Sequence, residues 1–258
     1  MKTYLDEIIE WHRNGVKPLE LNENEILRLA SKSSGARKFS DAIKSDPNVS
    51  IIAEIKKKSP SLGYLQKDIL VGKQAINYKL GGAKCISILT DTKFFDGKKE
   101  DLIAVKAAVD LPLLRKDFIV RRSDLFESKL IGADAVLLIV AALSDNELKS
   151  FLSISTDLNL EALVEVHDLE ELDRALSAGA EMVGVNQRDL YTFEVDRTRA
   201  VKLVSQIPEN ILKVAESGIK ERLDIKVLSE AGFDAVLIGE VLMKSADPKS
   251  LLENLLIS

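Results

Sequence analysis

The chain has 258 residues, 46% of them apolar and 30% charged, which is ample material for a large buried core. Its 36 Lys+Arg against 41 Asp+Glu leave a net charge of -5, so the footprint of a nucleic-acid binder is missing and an anionic substrate needs a local basic pocket. No stretch approaches the roughly 18 apolar residues of a membrane span, and the opening MKTYLDEIIEWHR lacks the form of a secretory leader. One cysteine, Cys85, permits no intrachain disulfide, and with His12 and His167 it makes no zinc site, so a reducing cytoplasmic setting without structural metal is expected.

Apolar positions Tyr4, Leu5, Ile8, Ile9 and Trp11 at helical spacing predict a helix over residues 2–14, and a second is predicted from about Asn22 to Lys32. From residue 49 short apolar runs alternate with longer amphipathic stretches. The runs are Val49 to Ile55, Cys85 to Thr90, Pro112 to Arg115, Ala135 to Ile139, Leu160 to Val166, Met182 to Val185, Ile211 to Ala215 and Phe233 to Ile238. Near-continuous apolar character marks strands buried on both faces, and the intervening helices mark parallel crossovers. Eight such units fit a (β/α)8 barrel over residues 49–258, with residues 1–48 as a helical extension of the same domain. Gly82-Ala83, Gly132-Ala133, Gly179-Ala180 and Gly232-Phe233 each precede an even-numbered run, a period of about 50 residues that suits a two-unit repeat or common αβ-turn chemistry. No linker precedes a further module, so the expectation is a single barrel.

In such a barrel, charges at strand carboxyl ends point to the catalytic face. Period-two alternation puts Ile52, Glu54 and Lys56 on one face of the first run. If Leu114, Leu163 and Val214 face inward, so do Lys116, Glu165 and Glu216. All five charges come from odd-numbered runs, and alternate strands fill the same interior layer. Two ammonium groups and three carboxylates then share one pocket and push each other's pKa values apart, unless they are solvated caps or rim ion pairs. The even runs supply Leu89, Leu137, Ile139, Asn186 and Gly239, an apolar wall beside a polar mouth. Glu216-Ser217-Gly218 and Ile238-Gly239-Glu240 place glycine where strand turns to helix, which suits either an anion cradle or simple turn geometry. Cys85 reads as a core residue, Trp11 as packing for the extension, and His167 as a helix cap or rim residue.

The segments IIAEIKKKSPSLG, LLRKDFIV, ALVEVHD, GVNQRDL, VAESGI and VLIGEVLM, in this order, resemble those of indole-3-glycerol phosphate synthases over essentially the whole chain. The resemblance implies a TIM barrel and a lyase of tryptophan biosynthesis. That enzyme closes the indole ring of 1-(2-carboxyphenylamino)-1-deoxyribulose 5-phosphate with loss of carbon dioxide and water, without a cofactor. It implies Lys116 as general acid, Lys56 as partner of the substrate carboxylate, Glu165 as base, Glu54 as relay, and Asn186 and Glu216 as orienting groups. It assigns phosphate to Ser59, Ser217, Gly218, Gly239 and the Glu240 backbone, substrate contact to Arg188, and the anthranilate ring to Leu89, Phe95, Phe118 and Leu137. Glu240 departs from members with a small hydroxyl residue there, so its side chain is expected to turn away from the phosphate. Two alternatives stand beside this: a silent phosphosugar-binding paralogue, and a phosphoribosylanthranilate isomerase, whose first-strand catalytic cysteine is replaced here by Glu54-x-Lys56. With no exposed apolar stripe evident, a monomer is expected.

Overall fold

The computed structural model describes residues 3–16, 37–45, 48–189 and 191–256. Eight strands form a closed parallel barrel in sequence order: β1 (Ser50–Ile55), β2 (Cys85–Leu89), β3 (Leu113–Lys116), β4 (Ala135–Ile139), β5 (Glu161–Val166), β6 (Met182–Asn186), β7 (Leu212–Glu216) and β8 (Ala235–Ile238). The seam closes where Ser50 to Ala53 of β1 pair with Ala235 to Ile238 of β8. Every predicted run is a strand, with ends that agree to within two residues.

The alternation of each strand divides the apolar residues into two layers. Ile51, Ala53 and Ile55 of β1, Val136 and Leu138 of β4, and Val183 and Val185 of β6 pack outward against the helices. Ile52, Cys85, Leu114, Ala135, Leu137, Leu163, Met182, Val214 and Leu237 fill the barrel interior. Burying apolar area on both faces at about 25 cal/mol per Å² is what makes these runs strands despite their lack of polar alternation. The four repeat glycines, Gly82, Gly132, Gly179 and Gly232, all sit at φ between 92° and 99°, the left-handed turn that stops a helix and returns the chain to the sheet.

The extension touches both ends of the barrel. Helix α1 (Tyr4–Glu10) starts at a Thr3–Asp6 capping box and runs into one π-helical turn, Trp11–Gly15. Its Leu5 and Ile8 join the interior cluster beside Phe94 and Phe118, at the carboxyl ends of the strands, and Trp11 packs against the same cluster. Helix α2 (Phe39–Lys44) was not anticipated from sequence and plugs the opposite end. Phe39 and Ile43 are fully buried there, the Phe39 N–H donates to Glu161, and the Ser50 hydroxyl donates to the Ile43 carbonyl at 2.7 Å. Six residues with three apolar positions carry no periodicity of their own; they become a helix because the barrel floor supplies the partner. The helix expected over residues 22–32 lies outside the described residues.

Around the barrel run α3 (Val71–Leu80), α4 (Lys99–Ala108), α5 (Arg122–Leu130), α6 (Asp145–Asp157), α7 (Leu169–Ala178), α8 (Arg199–Val204), α9 (Arg222–Glu230), α10 (Glu240–Lys244) and α11 (Pro248–Leu255). After β1, Lys58–Ser59 and Gly63–Tyr64 pair as a small antiparallel ribbon, which was not anticipated from sequence. Among the described residues no helix is long and apolar enough to cross a membrane.

Candidate active site

The carboxyl ends of the odd strands converge as the alternation predicted. Lys116 Nζ at the end of β3 lies 3.1 Å from Glu165 Oε2 of β5 and 3.4 Å from Glu216 Oε2 of β7. Lys56 Nζ, just past β1, is 2.5 Å from Glu54 Oε1. Glu54, Glu165 and Glu216 are all buried. The even strands make room for them with glycine: a Cβ on Gly184 of β6 would overlap Glu216 Oε1, and one on Gly239 after β8 would overlap Glu54 Oε1. The Tyr78 hydroxyl of α3 donates to the Glu54 carbonyl at 3.1 Å and pins the end of β1.

Glu165 and Glu216 share the one Lys116 ammonium, which cannot satisfy both as anions. Burial works against the Lys116 charge, but Glu165, Glu216 and Glu54 outweigh it and hold its pKa above that of an ordinary lysine. Burial also pushes Glu165 up, yet Lys116, His167 and an Asn186 hydrogen bond bring it below the usual carboxylate value. For Glu216 burial wins: against the pull of Lys116, the fields of Glu165 and Glu54 add to it and carry the group to about 8. At neutral pH the cluster therefore holds one carboxylic acid, Glu216, beside one carboxylate, Glu165, on a shared ammonium. Glu216 Oε1 is buried without a hydrogen-bond partner.

These groups floor a cleft lined on one side by Leu89, Phe95, Phe118, Leu137 and Ile139, with the Phe95 and Phe118 ring centroids 6.2 Å apart. On the other side Ser217 and Gly218 have consecutive positive φ values, 67° and 75°, in the tight turn that leaves β7. Gln187 Nε2 fixes this turn by donating to the Ser217 carbonyl at 2.7 Å. Ser59, Arg188, Gly239 and Glu240 line the same cleft, so all sixteen residues given a role by the resemblance meet in one cavity. The Glu240 carboxylate is turned along α10, 2.7 Å from Lys244 Nζ.

The family model for indole-3-glycerol phosphate synthase matches residues 5–255. The chain belongs to the indole-3-glycerol phosphate synthase family. The indole-3-glycerol phosphate synthase of Chlorobium chlorochromatii is 46% identical over 254 residues, 97% of this chain and 99% of that one. Its counterpart from Mycolicibacterium smegmatis is 45% identical over 98% of this chain and 93% of its own. Among solved structures, thiamine phosphate pyrophosphorylase from Pyrococcus furiosus superposes with a TM-score of 0.60 at 18% identity, covering 80% of this chain and 93% of that one. KGPDC from Streptococcus mutans does so at 0.60 and 12%, over 81% and 95%. At such identities these two share the barrel fold.

Family membership makes the remaining cleft residues informative. Lys220 and Phe193 line it and were passed over in sequence, since both lie in loops without period. His167 was read as a cap or rim residue, although the alternation Leu163, Glu165, His167 already put it on the inward face. Its Nε2 lies 3.5 Å from Glu165 Oε1. A second buried cluster joins the extension to the mouth. His12 Nε2 is 2.8 Å from Asp91 Oδ2 and 3.8 Å from Asp117 Oδ1, a spacing that would admit a metal ion. Every carboxylate oxygen there already faces a protein donor. Asp91 Oδ1 accepts from the Phe94 and Phe95 N–H groups, while Asp117 accepts from Phe118 N–H, Thr90 and Arg115. The cluster thus acts as a joint, with the His12 ring 5.5 Å from that of Phe118 behind the apolar wall.

Proposed function

We propose that the cleft closes the indole ring of 1-(2-carboxyphenylamino)-1-deoxyribulose 5-phosphate, releasing carbon dioxide and water to give indole-3-glycerol phosphate. The observation that carries this reading is the Lys116 ammonium, held between Glu165 and Glu216 at the boundary of an apolar wall and the tight turn after β7. An aromatic amine on a phosphorylated sugar has its two ends matched by these two surfaces.

The anthranilate ring lies against Leu89, Phe95, Phe118 and Leu137, and the phosphate against the N–H groups of Ser217 and Gly218, with Ser59, Arg188, Gly239 and the Glu240 backbone around it. Fixing both ends presses the ring carbon onto the ketone carbon, so proximity supplies much of the rate. Lys56 pairs with the substrate carboxylate. As the ring attacks, the ketone oxygen takes up the electron pair and becomes a far stronger base than an amine, so Lys116 gives it a proton even though its neighbours hold that proton tightly. Loss of carbon dioxide returns an electron pair to the ring through the adjacent iminium, and no external electron sink is needed. In the dehydration Glu165, kept ionised, takes the proton from the ring atom beside the departing hydroxyl, while Lys56, with Glu54 as relay, gives that hydroxyl the proton with which it leaves as water. Asn186 and the protonated Glu216 orient the substrate hydroxyls and Lys116. The reading extends to a monomer working in the cytoplasm on a phosphorylated small molecule, which the acidic net charge and single buried cysteine support.

The test is turnover followed by the rise of indole fluorescence. The parent protein forms product, and Lys116→Met lowers kcat by about 10²–10³-fold, the usual effect of removing one preorganised donor. A parent that binds the substrate and forms no product would overturn the assignment.

A further inference from the structure

The base proposed above has a neighbour that the reaction scheme leaves unused. His167 sits two residues beyond Glu165, just past the end of β5, and its side chain is 10% exposed. Its position is held from behind by Glu171 in the first turn of α7: Oε2 is 2.9 Å from His167 Nδ1 and accepts the His167 backbone N–H at 2.7 Å. Glu171 is itself fixed, because its own N–H donates to the capping Asp168 at 2.9 Å. A ring whose Nδ1 hydrogen is committed to one carboxylate presents Nε2 forward. That atom is buried without a hydrogen-bond partner and lies 3.5 Å from Glu165 Oε1, the oxygen that Lys116 does not occupy.

We propose that His167, backed by Glu171, is a positioning residue for the Glu165 base: as an imidazolium between two carboxylates it keeps Glu165 ionised and aims Oε1 at the substrate. This inference rests on Glu165 being the base of the reaction. Burial disfavours the imidazolium, but the Glu171 hydrogen bond and the Glu165 and Glu171 charges outweigh it, against an opposing field from Arg199, and raise its pKa. The charged groups facing the ring are thus Glu165 on its own strand, Glu171 on α7 and Arg199 on α8, with Lys116 of β3 on the far oxygen of Glu165. A cation on each side of one carboxylate is an arrangement that lowers the acid limb of a pH profile and fixes both oxygens.

The experiment compares the kcat–pH profiles of the parent, His167→Gln and Glu171→Gln, with Glu165→Gln as control. His167→Gln moves the acid limb up by about one pH unit, which reads as a loss of kcat approaching about tenfold on the limb itself, in the acid range below the usual carboxylate value, and vanishing by neutral pH, with KM nearly constant. Glu171→Gln moves it in the same direction by less and keeps the test open if the histidine variant folds poorly. A loss of kcat that is uniform across pH, or an acid limb that does not move in either variant, overturns the role of His167 while leaving the ring-closure assignment intact. A Glu165→Gln variant as active as the parent overturns the base assignment and this inference with it.

Discussion

At the amino end of the barrel Asp134 is 1% exposed, and both its oxygens are taken: Oδ1 by the Arg37 N–H and Lys106, Oδ2 by the Leu113 N–H and Lys106. Glu161 likewise accepts from the Phe39 N–H and from the N–H and hydroxyl of Ser40. At the carboxyl end Glu216 is equally buried, yet one of its oxygens has no partner, and a single Lys116 is shared with Glu165. Asp134 and Glu216 are buried to the same depth and differ in whether the donors suffice. Where they do, burial yields a rigid joint that holds α2 under the barrel. Where they fall short, the deficit appears as split proton affinities, which is the condition for moving a proton at neutral pH.

The contrast is sharpest at Glu165. Glu165→Gln keeps the size and half the hydrogen bonds but removes the base, so kcat falls by about 10²–10⁴-fold while the thermal midpoint stays within a few degrees of the parent; steady-state kinetics beside calorimetry check this. The opposite pattern holds at the other end. Asp134→Ala strands two buried N–H groups and Lys106, costing about 3 kcal/mol in urea unfolding, with kcat unchanged wherever the variant is folded. The smallest effect is at Gly184, where alanine puts a methyl against Glu216. Gly184→Ala lowers stability by about 1–2 kcal/mol and kcat by a modest factor, with KM little changed, because the displaced carboxyl alters the hold on Lys116 rather than substrate contact.

The barrel was legible because strands buried on both faces leave eight apolar runs that no amphipathic helix imitates. The inward face of Glu54, Lys116, Glu165 and Glu216 followed from a period of two alone. What could not be read depends on neighbours distant in the chain. Helix α2 is six residues long and forms against Glu161 and Ser50, and the Lys58–Tyr64 ribbon pairs residues with no strand pattern. His167 lay on the predicted face, but its meaning comes from Glu171, four residues on, turning back to hold the ring. Glu165 and Glu216, of identical chemistry, take different states because Glu165 has His167 and Asn186 beside it as well as Lys116, a matter of ångströms that spacing does not encode.

The protonated Glu216 also has a thermodynamic signature. Its folded pKa of about 8 lies above the ordinary 4.5, so the folded state keeps a proton that the unfolded chain has released. Its contribution to stability is full below the lower value and is lost as pH rises through the higher one. Relative to the parent, Glu216→Gln should therefore gain stability as pH rises from 4.5 to about 8, with no further gain above that.

The most direct test of the unbalanced carboxyl end is infrared difference spectroscopy of the parent against Glu216→Gln, following the C=O stretch of a protonated carboxyl from pH 5 to 10. The account predicts a band absent from the variant that disappears with a midpoint near 8. A Glu216 ionised throughout, with no such band above pH 5, would contradict it.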